Sequence, residues 1–238
     1  MTMMPDSVPA VEDTPTKRGV NLGCGTVILP CDKPEHHTLI PDSVYTNPCE
    51  WDNVDWNDLP GVNKVVDLFN YPWQNLDDNT YDVAIAAHIA EHIPHHITWH
   101  GQIIHRHSEY QDGWFAWFDQ LHRIMKPGGV AYILIPHAWS DSGMSDPTHT
   151  RYITPATFNY FKTGGTFVYR DGGQKWDIDL TTITGRYHEI AQRDAERRFG
   201  QLLPWEQESF SSNEYLFYQQ QRMLNVLVEF VIPMTAVK

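Results

Sequence analysis

The chain has 238 residues, and 41% of them are hydrophobic, which is enough to bury the core of one α/β domain. Its formal net charge of -13 repels phosphate backbones, so the composition excludes a basic nucleic-acid-binding surface. No apolar run approaches membrane-spanning length, and three cysteines without a CxxC pair indicate a reducing, cytoplasmic setting.

Residues 1–17 are predicted to form a disordered tail, because acids and prolines stand where a signal peptide needs a basic and then an apolar segment. Residues 18–238 are predicted to form one domain. Short apolar runs alternate there with helical patterns, which indicates a doubly wound, mostly parallel sheet of the α/β class. Strands are predicted at residues 19–22, 51–55, 64–67, 81–87, 130–136, 176–184 and 223–232.

The first predicted strand ends in NLGCG, a turn in which Gly23 and Gly25 let the backbone approach a ligand closely. A dinucleotide-binding turn carries a third glycine for helix packing beneath the pyrophosphate, and Val27 stands at that position. The turn therefore indicates either a ligand without a pyrophosphate or a purely structural role.

Acidic residues stand where the next two predicted strands end. A nucleoside needs a carboxylate for its ribose hydroxyls after the second strand, and the segment NVD ends there in Asp55. Asp67, in the segment VVDL, is placed to contact an adenine amine. Because an insertion precedes the second strand, Asp52 and Glu50 remain alternatives for the ribose contact.

The segment HIAEH, from His88 to His92, matches the HxxEH pattern of zinc peptidases, whose two histidines share one helix face. Here it directly follows a predicted strand, and Pro94 ends any helix within a turn, so we expect no metal. Seven histidines fall between His88 and His107 at irregular spacing. This density of histidines, with aromatic residues interleaved, predicts a lid insertion at residues 93–113. Because of the HxxEH pattern, a zinc hydrolase remains an alternative function.

Apolar residues at helical spacing predict a helix from Trp114 to Met125, which the turn KPGG ends. Further along, TPATFNYF begins like a helix capped by Thr154, and residues 187–199 are predicted to form another helix. Residues 139–215 are otherwise irregular.

The order of NLGCG, NVD, VVDL, YDVAIAAHIAEHI and LHRIMKPGG resembles the class I methyltransferases that use S-adenosylmethionine (SAM), over residues 19–161. The resemblance implies a Rossmann-like, seven-stranded sheet whose last strand is antiparallel. It also implies which residues contact SAM. The methionine part is contacted by Asn21, Gly23, Cys24 and Gly25, and the ribose by Asp55. Asp67 and Leu68 flank the adenine, and His88 lies beside the sulfonium. The family usually has an acid where Asn21 stands.

The segment SDPTHTRYITPATF contains a DPxH pattern that faces the acceptor side of the cleft in the resembled group. The predicted acceptor is a small molecule or a glycan, receiving the methyl group on a hydroxyl. A hydroxyl acceptor needs a general base to remove its proton. The first candidate for this base is His149, oriented by Asp146, followed by His137 and then by His92. A non-catalytic protein of the same fold, which binds SAM or a nucleoside analogue, is the second alternative.

Overall fold

The computed structural model describes residues 16–30, 37, 39–46, 50–104, 112–164, 175–187, 193, 197, 200–201 and 227–238. Within them the α-helices are α1 (Asp42–Thr46), α2 (Gly113–Ile124) and α3 (Asp141–Met144). The strands are β1 (Arg18–Leu22), β2 (Glu50–Asp55), β3 (Lys64–Val65), β4 (Asn70–Tyr71), β5 (Tyr81–Ala87), β6 (Ile97–Trp99), β7 (Gln102–Ile104), β8 (Met125–Pro136), β9 (Trp176–Asp177), β10 (Thr184–Tyr187) and β11 (Leu227–Ala236).

The main sheet has the strand order β3-β2-β1-β5-β8-β11-β10. The first five of these strands are parallel to one another, whereas β11 runs antiparallel to both of its neighbours. The predicted α/β class, with a mostly parallel sheet and an antiparallel last strand, is confirmed. The short strand β9 also pairs with β11, so the sheet has one strand more than predicted.

Two apolar layers cover the faces of this sheet, because neighbouring residues of a strand point to opposite sides. On one side Trp117, Phe118 and Leu121 of α2 are fully buried against the sheet. The predicted helix is confirmed, and the Asp112 side chain caps it by accepting the N–H of Trp114. Its predicted end is wrong, because the helix stops at Ile124 and the KPGG segment belongs to β8. A second cluster, built partly from α1, covers the opposite face.

Three further sequence predictions need correction, each at a position where a short polar side chain caps or ends an element. The predicted strand 64–67 is only β3, since the Asp67 carboxylate accepts the N–H of Phe69 in a turn. The predicted strand 176–184 is divided into β9 and β10 by a 3₁₀ turn at Leu180–Thr182, which Asp179 caps. Thr154 caps a 3₁₀ turn at Pro155–Tyr160 in place of an α-helix.

The predicted lid segment contains a small second sheet. Strands β6 and β7 form an antiparallel hairpin there, and β6 pairs with β4 in parallel. The remaining part of this segment, residues 105–111, lies outside the described residues, as do the start of the predicted last strand, the first fifteen residues and most of the helix predicted at 187–199. None of the described helices is long and apolar enough to cross a bilayer.

Candidate functional site

A cavity of about 410 Å³ lies at the sheet edge where β1, β2, β3 and β5 end. Open α/β sheets bind ligands at this edge, and the volume is within the range of small-molecule pockets. Six of the residues singled out from the sequence line it, namely Gly23, Asp55, Asp67, Leu68, His88 and His92. The sheet topology therefore brings together residues that are up to 69 positions apart, from Gly23 to His92.

The turn after β1 presents backbone to this cavity. Gly23 and Gly25 both have positive φ angles, of 66° and 52°. A Cβ atom on Gly23 would lie 2.5 Å from Cδ1 of Ile89, which is the movable end of a flexible side chain, so the positive φ angle is the stronger reason for glycine there. The Cys24 side chain is buried away from the cavity, and burial, with the charge of Asp55, raises the pKa of its thiol to about 11.

Asp55 joins the end of β2 to the glycine turn. Its Oδ2 accepts the N–H of Gly25 at 2.9 Å, and its Oδ1 accepts the N–H of Asn57 at 2.9 Å. The two alternatives proposed from the sequence lie elsewhere. Asp52 accepts the hydroxyl of Tyr81 at 2.6 Å, and Glu50 is exposed, so neither lines the cavity.

Asn21 is buried beneath the turn and does not line the cavity. Its Nδ2 donates to the carbonyl of Val27 at 2.7 Å and to Oδ1 of Asn53 at 3.3 Å. Both partners are acceptors, so the position requires a donor, which an aspartate does not provide. This explains the departure from the acid that the resembled family usually has: Asn21 shapes the turn from below.

His88 lies at the cavity end of β5 with a φ angle of 54°, which is unusual for a residue with a side chain. Its Nε2 is 3.3 Å from Glu229 in β11, and its Nδ1 is 3.5 Å from Glu91. Burial alone lowers the pKa of His88, but the two carboxylates outweigh burial and raise the pKa to about 9. His88 therefore carries a positive charge into the cavity at neutral pH.

The three predicted bases occupy different positions. His92 lines the cavity, and its ring contacts that of His149 edge to face, with centroids 4.8 Å apart. The side chain of His149 is 7% exposed, and the residue does not line the cavity. Its Nδ1 bonds the carbonyl of Gly143 at 2.9 Å, so the expected orientation by Asp146 needs correction: that carboxylate accepts from Thr148, and lies 3.8 Å from Nε2 of His149.

His137 lies apart from this group. It is 3% exposed, does not line the cavity, and packs against the ring of Phe230. Burial lowers its pKa to about 4, so the imidazole is neutral and weakly basic at pH 7. Of the three predicted bases, His92 lines the cavity, whereas His137 and His149 do not.

Sequence reasoning missed two carboxylates. Glu91 was considered only as part of the HxxEH pattern, yet it is 1% exposed and faces both His88 and His149. Glu229 lies in β11 and gave no signal, because its pairing with His88 spans most of the chain. The HxxEH arrangement itself is not formed: His88 pairs with Glu229, and the following 3₁₀ turn has only three residues.

No protein-family model matches this chain, and no curated protein matches it. Among solved structures, it is similar to a SAM-dependent methyltransferase from Archaeoglobus fulgidus, at 17% identity over 92% of this chain and 86% of that chain, with a TM-score of 0.49. It is also similar to one from Mesorhizobium loti, at 12% identity over 92% and 91%, with a TM-score of 0.44. Similarity at this level assigns no activity to this chain.

Proposed function

We propose that this chain is a SAM-dependent methyltransferase that acts on a hydroxyl of a small-molecule or glycan acceptor. The observation that carries the proposal is the cavity, because its lining brings the glycine turn, Asp55 and Asp67 together with His88 and His92. In this proposal His88 lies beside the sulfonium end of the cofactor and His92 lies on the acceptor side.

The residues present fit SAM. Gly23 lines the cavity without a side chain and has a positive φ angle, which suits close approach of the amino-acid part of the cofactor. Each Asp55 oxygen accepts one backbone N–H, which leaves a lone pair on each for a ribose hydroxyl. Asp67 and the buried Leu68 stand next to Asp55 in the lining, where an adenine would follow.

SAM supplies an electrophilic methyl group when bound. The work of the protein is then to hold the acceptor in line and to exclude water. The apolar lining residues Val66, Phe69 and Ile89 contribute the dry surface, and His92 with Thr148 marks the acceptor side. Cytoplasmic localisation and the lid at residues 93–113 belong to the same proposal.

Turnover, and not SAM binding, distinguishes the proposed methyltransferase from a non-catalytic SAM-binding protein. The test begins with mass spectrometry of the purified chain for co-purified SAM or S-adenosylhomocysteine (SAH), followed by calorimetry with both. We expect dissociation constants in the micromolar range, on the order of -8 kcal/mol. Absence of heat with either ligand at high protein concentration contradicts the proposal.

Transfer of a labelled methyl group from SAM to a panel of mono- and oligosaccharides then separates the enzyme from the binding protein. An enzyme labels at least one hydroxyl acceptor and releases SAH in equal amount. Binding of SAM without transfer to any hydroxyl, amine or carboxylate acceptor supports the non-catalytic alternative.

A further inference from the structure

The cluster formed by Glu91, His92 and His149 lies at the acceptor side of the cavity. One candidate ligand atom from each residue lies within 4.8 Å of the others. The residues come from two distant segments, which are joined because the backbone carbonyl of Glu91 accepts the N–H groups of Thr150 and Arg151, at 3.0 and 3.2 Å. The fold therefore builds this cluster through backbone bonds that do not depend on the three side chains.

Hydrogen bonds to nearby acceptors indicate the tautomers of both histidines. Nδ1 of His149 donates to the carbonyl of Gly143 at 2.9 Å, because a carbonyl only accepts. Nδ1 of His92 lies 3.2 Å from both the carbonyl and the hydroxyl of Thr148, and that hydroxyl donates its own proton to Asp146 at 2.6 Å, so Nδ1 is the donor in both contacts. In each neutral ring the unprotonated atom is then Nε2. This is the arrangement in which histidines bind metals, with the second nitrogen donating to a carbonyl.

Glu91 has a buried carboxylate that faces a charged histidine but accepts no hydrogen bond. Its residue is 1% exposed, and within the described part of the chain neither carboxylate oxygen accepts a hydrogen bond. Its Oε1 lies 3.5 Å from Nδ1 of His88 and 4.0 Å from Nε2 of His149, and neither contact forms a hydrogen bond. A buried carboxylate without hydrogen bonds is costly even beside the charge of His88, and a metal ion bound to it would lower that cost.

We propose that Glu91, Nε2 of His92 and Nε2 of His149 bind one divalent transition-metal ion. Two imidazoles and a carboxylate favour ions such as Mn²⁺, Co²⁺ or Zn²⁺ over Mg²⁺ or Ca²⁺. Ligand atoms around such an ion are about 3–3.5 Å apart, so the three groups, now within 4.8 Å of one another, would close by up to roughly 1.3–1.8 Å through side-chain rotation. This set differs from the HxxEH set, because His149 takes the place of His88.

Open coordination positions of such an ion would face the cavity, because His92 and Thr148 form part of the lining. A hydroxyl or carboxylate oxygen of the acceptor is the ligand class that these positions accept. This role in acceptor binding rests on the proposed function, whereas the metal site itself does not.

The test uses the full chain without an affinity tag, stripped with a chelator and titrated with Co²⁺ by calorimetry and visible absorption, with Zn²⁺ as competitor. We expect one Co²⁺ per chain. Glu91→Gln and His149→Gln should each weaken binding roughly 100-fold or more, since even changes to groups behind a ligand cost about 10- to 100-fold. His96→Ala, at an exposed histidine of the same segment, should leave the affinity within twofold.

Circular dichroism and thermal melting show whether each variant is folded, and His92→Gln provides a third ligand variant if one of them is not. Absence of Co²⁺ uptake overturns the proposal, and so does equal affinity in folded Glu91→Gln and His149→Gln. Loss of uptake in His96→Ala also overturns it, because the ion then sits among the surface histidines. None of these outcomes depends on SAM, so failure of the metal site and failure of the proposed function are separate results.

Discussion

Replacing Asp55 with alanine should weaken SAH binding by about 1.5–3 kcal/mol, roughly 10- to 150-fold in Kd at 25 °C. Asp55 is 6% exposed, and each carboxylate oxygen holds one backbone N–H, of Gly25 or of Asn57. The remaining lone pairs give two bonds to ribose hydroxyls, and bonds to a charged group contribute about 1.5–3 kcal/mol. The lower part of that range applies if water replaces the carboxylate in the variant.

Asp52→Ala is the matched control, because Asp52 is a buried carboxylate on the same strand that does not line the cavity. It should lower the urea midpoint by removing the partner of Tyr81, yet leave the Kd for SAH within about twofold. Calorimetry with SAH measures both variants under conditions where each is folded. A damaging Asp52→Ala together with a silent Asp55→Ala would show that the ribose contact is placed on the wrong residue.

Three further predictions concern stability and reactivity. Asn21→Asp should destabilise the fold by about 1–3 kcal/mol in urea denaturation, since Val27 and Asn53 lose a buried donor. The folded-state pKa of His137, about 4, lies below its usual value of 6.5. The stability that neutral His137 contributes is therefore complete above pH 6.5 and falls by about 3 kcal/mol as the pH drops toward 4. In melting experiments at a series of pH values, His137→Gln should reduce this loss. The Cys24 thiol, with a pKa of about 11, should resist iodoacetamide at pH 8 until the chain unfolds, as followed by mass spectrometry.

The sequence predicts the parallel part of the sheet well because those strands are buried on both faces and therefore form nearly continuous apolar runs. Val20, Leu22 and Ala84, for example, are completely buried. The position of Asp55 follows from the same logic, since parallel strands end at one edge. Periodicity does not show where a short polar residue stops a strand, and Asp179 does so between β9 and β10.

The acceptor side was less predictable, because its contacts join residues far apart in the chain. His149 is recognisable as a polar residue after a strand, but its approach to Glu91 depends on how the Thr150 and Arg151 backbone meets residue 91. The sequence pattern HxxEH suggested neighbours within one helix, whereas the chain leaves β5 through a left-handed residue and a single 3₁₀ turn. Backbone geometry at His88 therefore decides which side chains meet.

Glu229 connects the outermost strand of the sheet to a residue of the cavity lining. Its carboxylate binds Arg186 of that strand at 2.6 Å and faces His88 at 3.3 Å, although Glu229 itself does not line the cavity. A ligand charge that draws His88 away from Glu229 would leave Arg186 as the remaining cation beside this carboxylate. Linkage would make such a coupling reciprocal, so a substitution of Arg186 would alter ligand affinity from outside the cavity lining.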